Sequence, residues 1–307
     1  MSHARAVLLM AYGTPDSLAA VPEYYAHIRG GRMPAPALVA DLQERYRAVG
    51  GVTPLLERTR EVRDRLAEAF AAGGEPRRVY VGMKHWHPFV AETVREMASD
   101  GVEEVTALVL APHYSRMSVG GYRRHLEEAV REHDGPSVEL IERWGTEPEF
   151  IDLMAGLVRE GLARFSPGDV TVVFTAHSLP VRIREWNDPY EEELLASSRL
   201  VAEAAGLREW GFAWQSAGAS GEPWIGPDIL EHLGTLADAG VRQVLQVPIG
   251  FVADHLEVLY DIDVEARRRA SELGLRFERT RLPNADLRFV AALAAIIGRH
   301  EARMEAP

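Results

Sequence analysis

The sequence predicts an α/β protein of two units, each a parallel sheet covered by helices. Short β-branched apolar runs alternate with longer segments of helical periodicity along the whole chain. The 307 residues are also about twice the length of an ordinary domain. A third observation points to repetition: LVLAPHYS (108–115) and LQVPIGFV (245–252) hold similar places in the two halves. No low-complexity linker separates the halves, so the break is placed near 145–150, giving units 1–148 and 149–307.

Residues 6–11 read as a strand ending at the loop Tyr12-Gly-Thr-Pro15. A helix over 37–49 stops at Gly50-Gly51, and Thr53-Pro54 precedes a long helix over 55–71. A strand at 78–82 leads into a helix over 88–100. The run 104–111 is almost wholly apolar, as buried parallel strands are. A helix over 120–132 and a short strand at 137–141 close the first half. The second half repeats the rhythm with helix 147–165, strand 170–175, helix 190–206, strand 211–215, helix 228–239 and strand 243–247. One continuous helix over 254–273 and a closing helix over 285–302 complete it. Sites in open α/β sheets lie beyond the carboxyl ends of strands. The loops to inspect are therefore 12–15, 84–88, 112–118, 177–180, 216–224 and 248–257.

Composition removes several function classes. The hydrophobic content of 47% and charged content of 26% are those of a folded domain. No apolar run approaches the ~18 residues of a membrane span, and the opening apolar stretch is too short for a secretory signal. The net charge of −12, with no basic block, makes a poor nucleic-acid or lipid-surface binder. The absence of cysteine excludes disulfides, thiolate catalysis and a cysteine-held iron–sulfur cluster. The cytoplasm is the expected location. Of 34 basic residues only Lys84 is a lysine. That reads either as coding bias or as one place needing a flexible point charge. GxGxxG, P-loop, GxSxG and HExxH patterns are missing, so the dehydrogenase, nucleotide-hydrolase, α/β-hydrolase and zinc-protease readings lose their support.

Three features carry chemistry. His177, just past an apolar strand in FTAHSLP (174–180), is either a proton acceptor or metal ligand at a strand end or a histidine bonded to its own loop. Glu257, Asp261 and Glu265 are spaced i, i+4, i+8, so a helix aligns them in one stripe. Such a stripe is either a solvated acidic face or a route for hydrated divalent cations. The segments 12–15, 24–29, 45–46 and 50–55 bring aromatic surface and arginine together in an otherwise acidic chain, suited to a flat ligand bearing carboxylates. His85, beside Lys84, is a possible cleft residue, whereas His87, His113 and His255 read as structural. Trp214 and Trp224 read as core or cleft wall.

The motifs MAYGTP (10–15), HIRGGR (27–32), RYRAVGGVTPL (45–55), GMKH (82–85) and LAPHYSRMSVGGY (110–122) run in this order through the first half. TAHSLP (175–180), NDPY (187–190), WQSAG (214–218), PWIGPD (223–228) and GFVADHLEVLYDID (250–263) continue it. Over nearly its full length the chain thereby resembles the ferrochelatases, which insert iron(II) into a porphyrin. The resemblance implies two Rossmann-like, chelatase-type domains with a porphyrin cleft between them. It implies His177 and Glu257 as the catalytic and iron-binding pair, with Asp261 and Glu265 as outer acidic metal residues. The ring-binding positions implied are Tyr12, Arg29, Arg45, Tyr46, Thr53 and Tyr122. Thr53 stands where relatives often carry serine, which keeps the hydroxyl. The tyrosine of MAYGTP resembles the monoderm-type enzymes that metallate coproporphyrin III. Fe²⁺ is then a substrate, with no permanently bound cofactor and no iron–sulfur cluster. The expected partners are the porphyrin and, transiently, a downstream enzyme using coprohaem, with a monomeric chain that does not span a membrane. The rival readings are a protoporphyrin IX ferrochelatase, a cobalt or nickel chelatase of sirohydrochlorin-type rings, and a non-catalytic haem or coprohaem carrier.

Overall fold

The computed structural model describes residues 5–166, 168–218 and 221–305. Ala219 and Ser220, within the predicted loop 216–224, lie outside the described residues. The chain divides into two compact units, Met1–Trp144 with Ala253–His255 and Asn284–Pro307, and Gly145–Val252 with Leu256–Pro283.

The first unit holds a four-stranded parallel sheet in the order β2-β1-β3-β4, with β1 at Arg5–Ala11, β2 at Arg78–Met83, β3 at Glu104–Val109 and β4 at Ser137–Ile141. Alternation along β1 decides the two faces. Ala6, Leu8 and Met10 pack with Val90, Val94 and Met97 of α4 (Val90–Ser99) and with Val119, Leu126 and Ala129 of α5 (Val119–Glu132). Each fully buried valine, leucine or methionine among them contributes about 1.5–3 kcal/mol. Helix α3 (Leu55–Ala72) lies on β1 and β2 and packs against α11 (Leu287–Glu305). Helices α1 (Val21–Ile28) and α2 (Pro36–Ala48) fill the connection after β1, and both start with proline in the first turn, where a missing N–H costs nothing.

The second unit repeats the arrangement as β6-β5-β7-β8, with β5 at Thr171–His177, β6 at Gly211–Gln215, β7 at Gln243–Val247 and β8 at Arg276–Arg279. Helices α6 (Pro148–Leu162) and α7 (Tyr190–Ala205) pack on each other. On one face, Val173, Ala213 and Val244 of the strands meet Ile229 and Leu233 of α8 (Ile229–Asp238). The single helix expected over 254–273 is three pieces: α9 (Leu256–Leu259), a π-helical turn at Asp261–Ala266, and α10 (Arg267–Glu272). The Tyr260 carbonyl accepts from both Val264 N at 3.1 Å and Glu265 N at 3.0 Å, so the ladder widens by one residue there. Three elements had no counterpart in the sequence reading: helix α1, the four-residue β8, and the 3₁₀ turn at Val181–Trp186.

Candidate functional site

In the second unit the chemistry gathers at the carboxyl ends of β5 and β6. His177 is the last residue of β5 and is half-buried. Its Nδ1 is bonded to the Ser178 carbonyl, which can only accept, so Nδ1 carries the proton and Nε2 presents the lone pair. The strand end is held from several sides. Tyr190 donates its hydroxyl to the His177 carbonyl at 3.0 Å, and burial raises that phenol's pKa so that it stays a donor. Ser178 donates its N–H to Gln215 O at 2.7 Å and its hydroxyl to Ile225 O at 2.7 Å. The Trp224 ring stands 6.3 Å from the imidazole.

Gln215 connects the two members of the expected catalytic pair. It lies in register beside His177, and its buried amide donates to the Glu257 backbone carbonyl at 3.1 Å. Gln246 completes the row, donating to Gln215 Oε1 at 3.2 Å and to Thr175 Oγ1 at 2.9 Å. The acidic stripe is set by the apolar one beside it. Val258, Ile262, Ala266 and Ala270 are buried in the core at four-residue spacing, and Glu257, Asp261 and Glu265 each precede one of the first three. Glu257 and Glu265 are half-buried, while Asp261 is buried and accepts from the Ser216 hydroxyl. Ser216 adopts a left-handed conformation at φ 62°, which turns the chain back toward the π-helical turn. Asp263 is turned away into a bidentate pair with Arg279, both contacts at 2.8 Å. Among the described residues no three histidine or carboxylate side chains form a group that could hold a metal ion.

In the first unit the loops after β1 and β2 are zipped together, with Lys84 N donating to Ala11 O and His85 N to Tyr12 O, each at 2.9 Å. Gly13 is required between them: its φ is 96°, and a Cβ would come within 2.8 Å of Trp86 N. Tyr12 is 37% exposed, with its ring 4.6 Å from that of His85. Tyr46 and Thr53 are buried, and Thr14 Oγ1 joins them, 2.8 Å from the Thr53 hydroxyl and 3.3 Å from the Tyr46 hydroxyl. Arg29 is exposed just after α1, its guanidinium 5.9 Å from the Tyr25 ring, and Arg45 is half-buried on α2. Tyr122 is buried in the first turn of α5, its ring 5.0 Å from the Lys84 ammonium. Burial and then Arg124 hold Lys84 down at about 8. His85 is pushed down to about 3 by burial and then by Lys84, and its Nδ1 lies 3.1 Å from that of His27. One of those two nitrogens must accept, so the pair cannot be doubly protonated.

Sequence reasoning named no role for Gln215, Gln246, Ser216, His27 or His125. A signal existed for the glutamines, because an amide inside FAWQ and VLQV interrupts otherwise apolar strands and must find partners when buried. For Ser216 and the histidines there was none, since their partners come from distant segments. His255 bonds Ala253 O at 2.8 Å, the loop role expected of it.

The ferrochelatase family model matches residues 4–301. A protein named ferrochelatase from Herpetosiphon aurantiacus is 49% identical over 97% of this chain and 99% of its own length. One named coproporphyrin III ferrochelatase from Anoxybacillus flavithermus is 41% identical over 96% of this chain and 95% of its own. Among solved structures, SirB from Bacillus subtilis with Fe³⁺ superposes with a TM-score of 0.61 at 11% identity, covering 98% of this chain and 97% of SirB. CbiX, described as the terminal enzyme of sirohaem biosynthesis in denitrifying bacteria, gives 0.52 at 14%, covering 96% and 99%. Those two likenesses bear on the fold alone and agree with two Rossmann-like sheets of the chelatase type. With the family model spanning almost every residue, the chain belongs to the ferrochelatase family.

Proposed function

We propose that this protein inserts Fe²⁺ into coproporphyrin III, releasing two protons per iron and giving Fe-coproporphyrin III for haem synthesis. The observation that carries the reading is the His177–Gln215–Glu257 connection. The Ser178 carbonyl holds the Nδ1 proton and leaves Nε2 as the basic nitrogen, while Gln215 ties that strand end to the turn bearing Glu257. A neutral imidazole with an ionised carboxylate suits Fe²⁺ without trapping it as thiolates would. His177 takes a pyrrole proton, ligates the entering metal, or does both, and Glu257 holds the iron beside it. Asp261 and Glu265 supply the approach. The name shared by relatives at 38–41% identity supports coproporphyrin III as the ring. No helix among the described residues is long and apolar enough to cross a membrane. A cytoplasmic monomer that passes its product to a coprohaem-using enzyme completes the reading.

The test is anaerobic Fe²⁺ insertion followed by absorbance, with coproporphyrin III and protoporphyrin IX offered in parallel. Fast turnover of coproporphyrin III supports the assignment. Preference for protoporphyrin IX keeps the chelatase and removes the substrate assignment, and binding without metalation of either ring makes the protein a carrier.

A further inference from the structure

Among the described residues, Lys84 is a buried cation whose neighbours are aromatic faces and other cations rather than a carboxylate. The residue is 8% exposed, and among the described residues its ammonium makes no hydrogen bond or ion pair. Its neighbours are ring faces, with Nζ 5.0 Å from the Tyr122 centroid and 6.0 Å from that of Tyr12. It also occupies the space that a Cβ on Gly121 would need, so it is lodged against the first turn of α5. That turn is the positive pole of a fourteen-residue helix with no side-chain cap. The N–H groups of Gly120 and Gly121 are taken by the Ser115 and Ser118 carbonyls, so the helix adds positive potential rather than donors. The charged neighbour acting on Lys84 is Arg124, another cation, and His85 and His125 stand beside it. A buried ammonium, a helix amino end and a guanidinium converge with no anion among them. Such a site is costly when empty and strong for a negative group that brings its own desolvated charge.

We propose that Lys84 is a specificity-determining residue that receives a propionate of the tetrapyrrole, one that coproporphyrin III carries and a two-propionate porphyrin lacks. The inference rests on the porphyrin reading above. It adds a third cation to Arg29 and Arg45, which the family resemblance puts among the ring-binding positions. The aromatic faces of Tyr12 and Tyr122 keep the ammonium away from bulk water, and Gly121 makes the room.

The experiment titrates metal-free coproporphyrin III and mesoporphyrin IX, with four and two propionates, into wild type, Lys84→Met and Lys84→Arg, followed by fluorescence quenching. Lys84→Met should weaken coproporphyrin III by about ten-fold or more, as loss of a charge-assisted bond does. It should leave mesoporphyrin IX within about two-fold, and Lys84→Arg should restore most of the difference. Unchanged coproporphyrin affinity, or equal loss for both rings, overturns the assignment. A second readout is independent of substrate. In the ligand-free protein Lys84→Met should unfold at a higher temperature than wild type, because it removes an unpaired buried charge. A lower unfolding temperature would mean that the ammonium already has a partner, and overturns the proposal. If wild type binds neither porphyrin, the functional reading fails instead. If wild type metallates coproporphyrin III and Lys84→Met binds it equally well, only this inference fails.

Discussion

At the scale of the residue, the same side chain does different work according to what holds its second polar atom. His177 has its Nδ1 proton committed to Ser178, so the reactive atom is Nε2. Replacing it by alanine should lower iron insertion by about 10²-fold or more while leaving the porphyrin dissociation constant nearly unchanged. Near wild-type insertion by that variant, measured anaerobically, would remove His177 from the reaction. His113 shows the opposite case. Its complete burial lowers it from 6.5 to about 3. Below pH 6.5 the unfolded chain takes up a proton that folded His113 refuses. Stability is therefore lost as pH falls from about 6.5 toward about 3, at up to about 1.4 kcal/mol per pH unit. Urea midpoints compared at pH 7 and pH 5 should show a shallower loss in His113→Gln than in wild type. An equal slope would mean that other groups, His85 included, set the acid limb. His177 was legible in the sequence because a histidine after an apolar strand is a local signal. Gln215 showed only as an amide at the end of an apolar strand, and its link to Glu257 was not legible, because it depends on β6 lying beside β5, which spacing along the chain does not give.

At the scale of the element, apolar periodicity located most strands and helices within one or two residues, and it failed where the backbone changed type. The run 254–273 is continuous in its hydrophobic pattern, and Val258, Ile262, Ala266 and Ala270 are all buried as an unbroken helix would bury them. A π-helical turn keeps the apolar stripe on the core while admitting one more residue per turn, so the pattern conceals it. Ser216 then reaches the first residue of that turn, Asp261. Two roles for Asp261 are separable. Asp261→Asn keeps an acceptor for Ser216 and removes the charge, so it should fold normally yet raise the KM for Fe²⁺ several-fold at unchanged porphyrin affinity. Asp261→Leu loses both and should in addition destabilise the protein by about 1–3 kcal/mol. An Asn variant with wild-type iron kinetics would confine Asp261 to anchoring the turn. The short β8 escaped notice for another reason: Arg276-Phe-Glu-Arg279 holds one apolar residue in four, and only its pairing with β7 makes it a strand.

At the scale of the molecule, each unit threads its sheet in the same order, with β5, β6, β7 and β8 taking the places of β1, β2, β3 and β4. The paired sequences 108–115 and 245–252 fall at the ends of β3 and β7, matching positions in that order. By the same correspondence Tyr12 follows β1 where His177 ends β5, so each unit offers one ring-bearing polar residue at its first strand's carboxyl end. What the sequence did not disclose is how the closing helix is fastened. Glu301 sits on α11, where its pattern reads as an exposed charge, but it is 8% exposed. It accepts from Thr106 Oγ1 on β3 at 2.6 Å and bonds the Arg77 guanidinium, and Arg5 Nη1 lies 3.9 Å away. One carboxylate thus joins the chain's last helix to residues on or beside three strands of the first sheet. Removing it leaves the half-buried Arg77 with the exposed Glu75 as its remaining carboxylate and the buried Thr106 hydroxyl without its acceptor, a loss of about 1–3 kcal/mol. Glu301→Ala should accordingly lower the urea midpoint far more than Glu301→Gln, which still accepts from Thr106. Equal midpoints for Ala, Gln and wild type would show that apolar packing of α11 on α3 alone holds the helix in place.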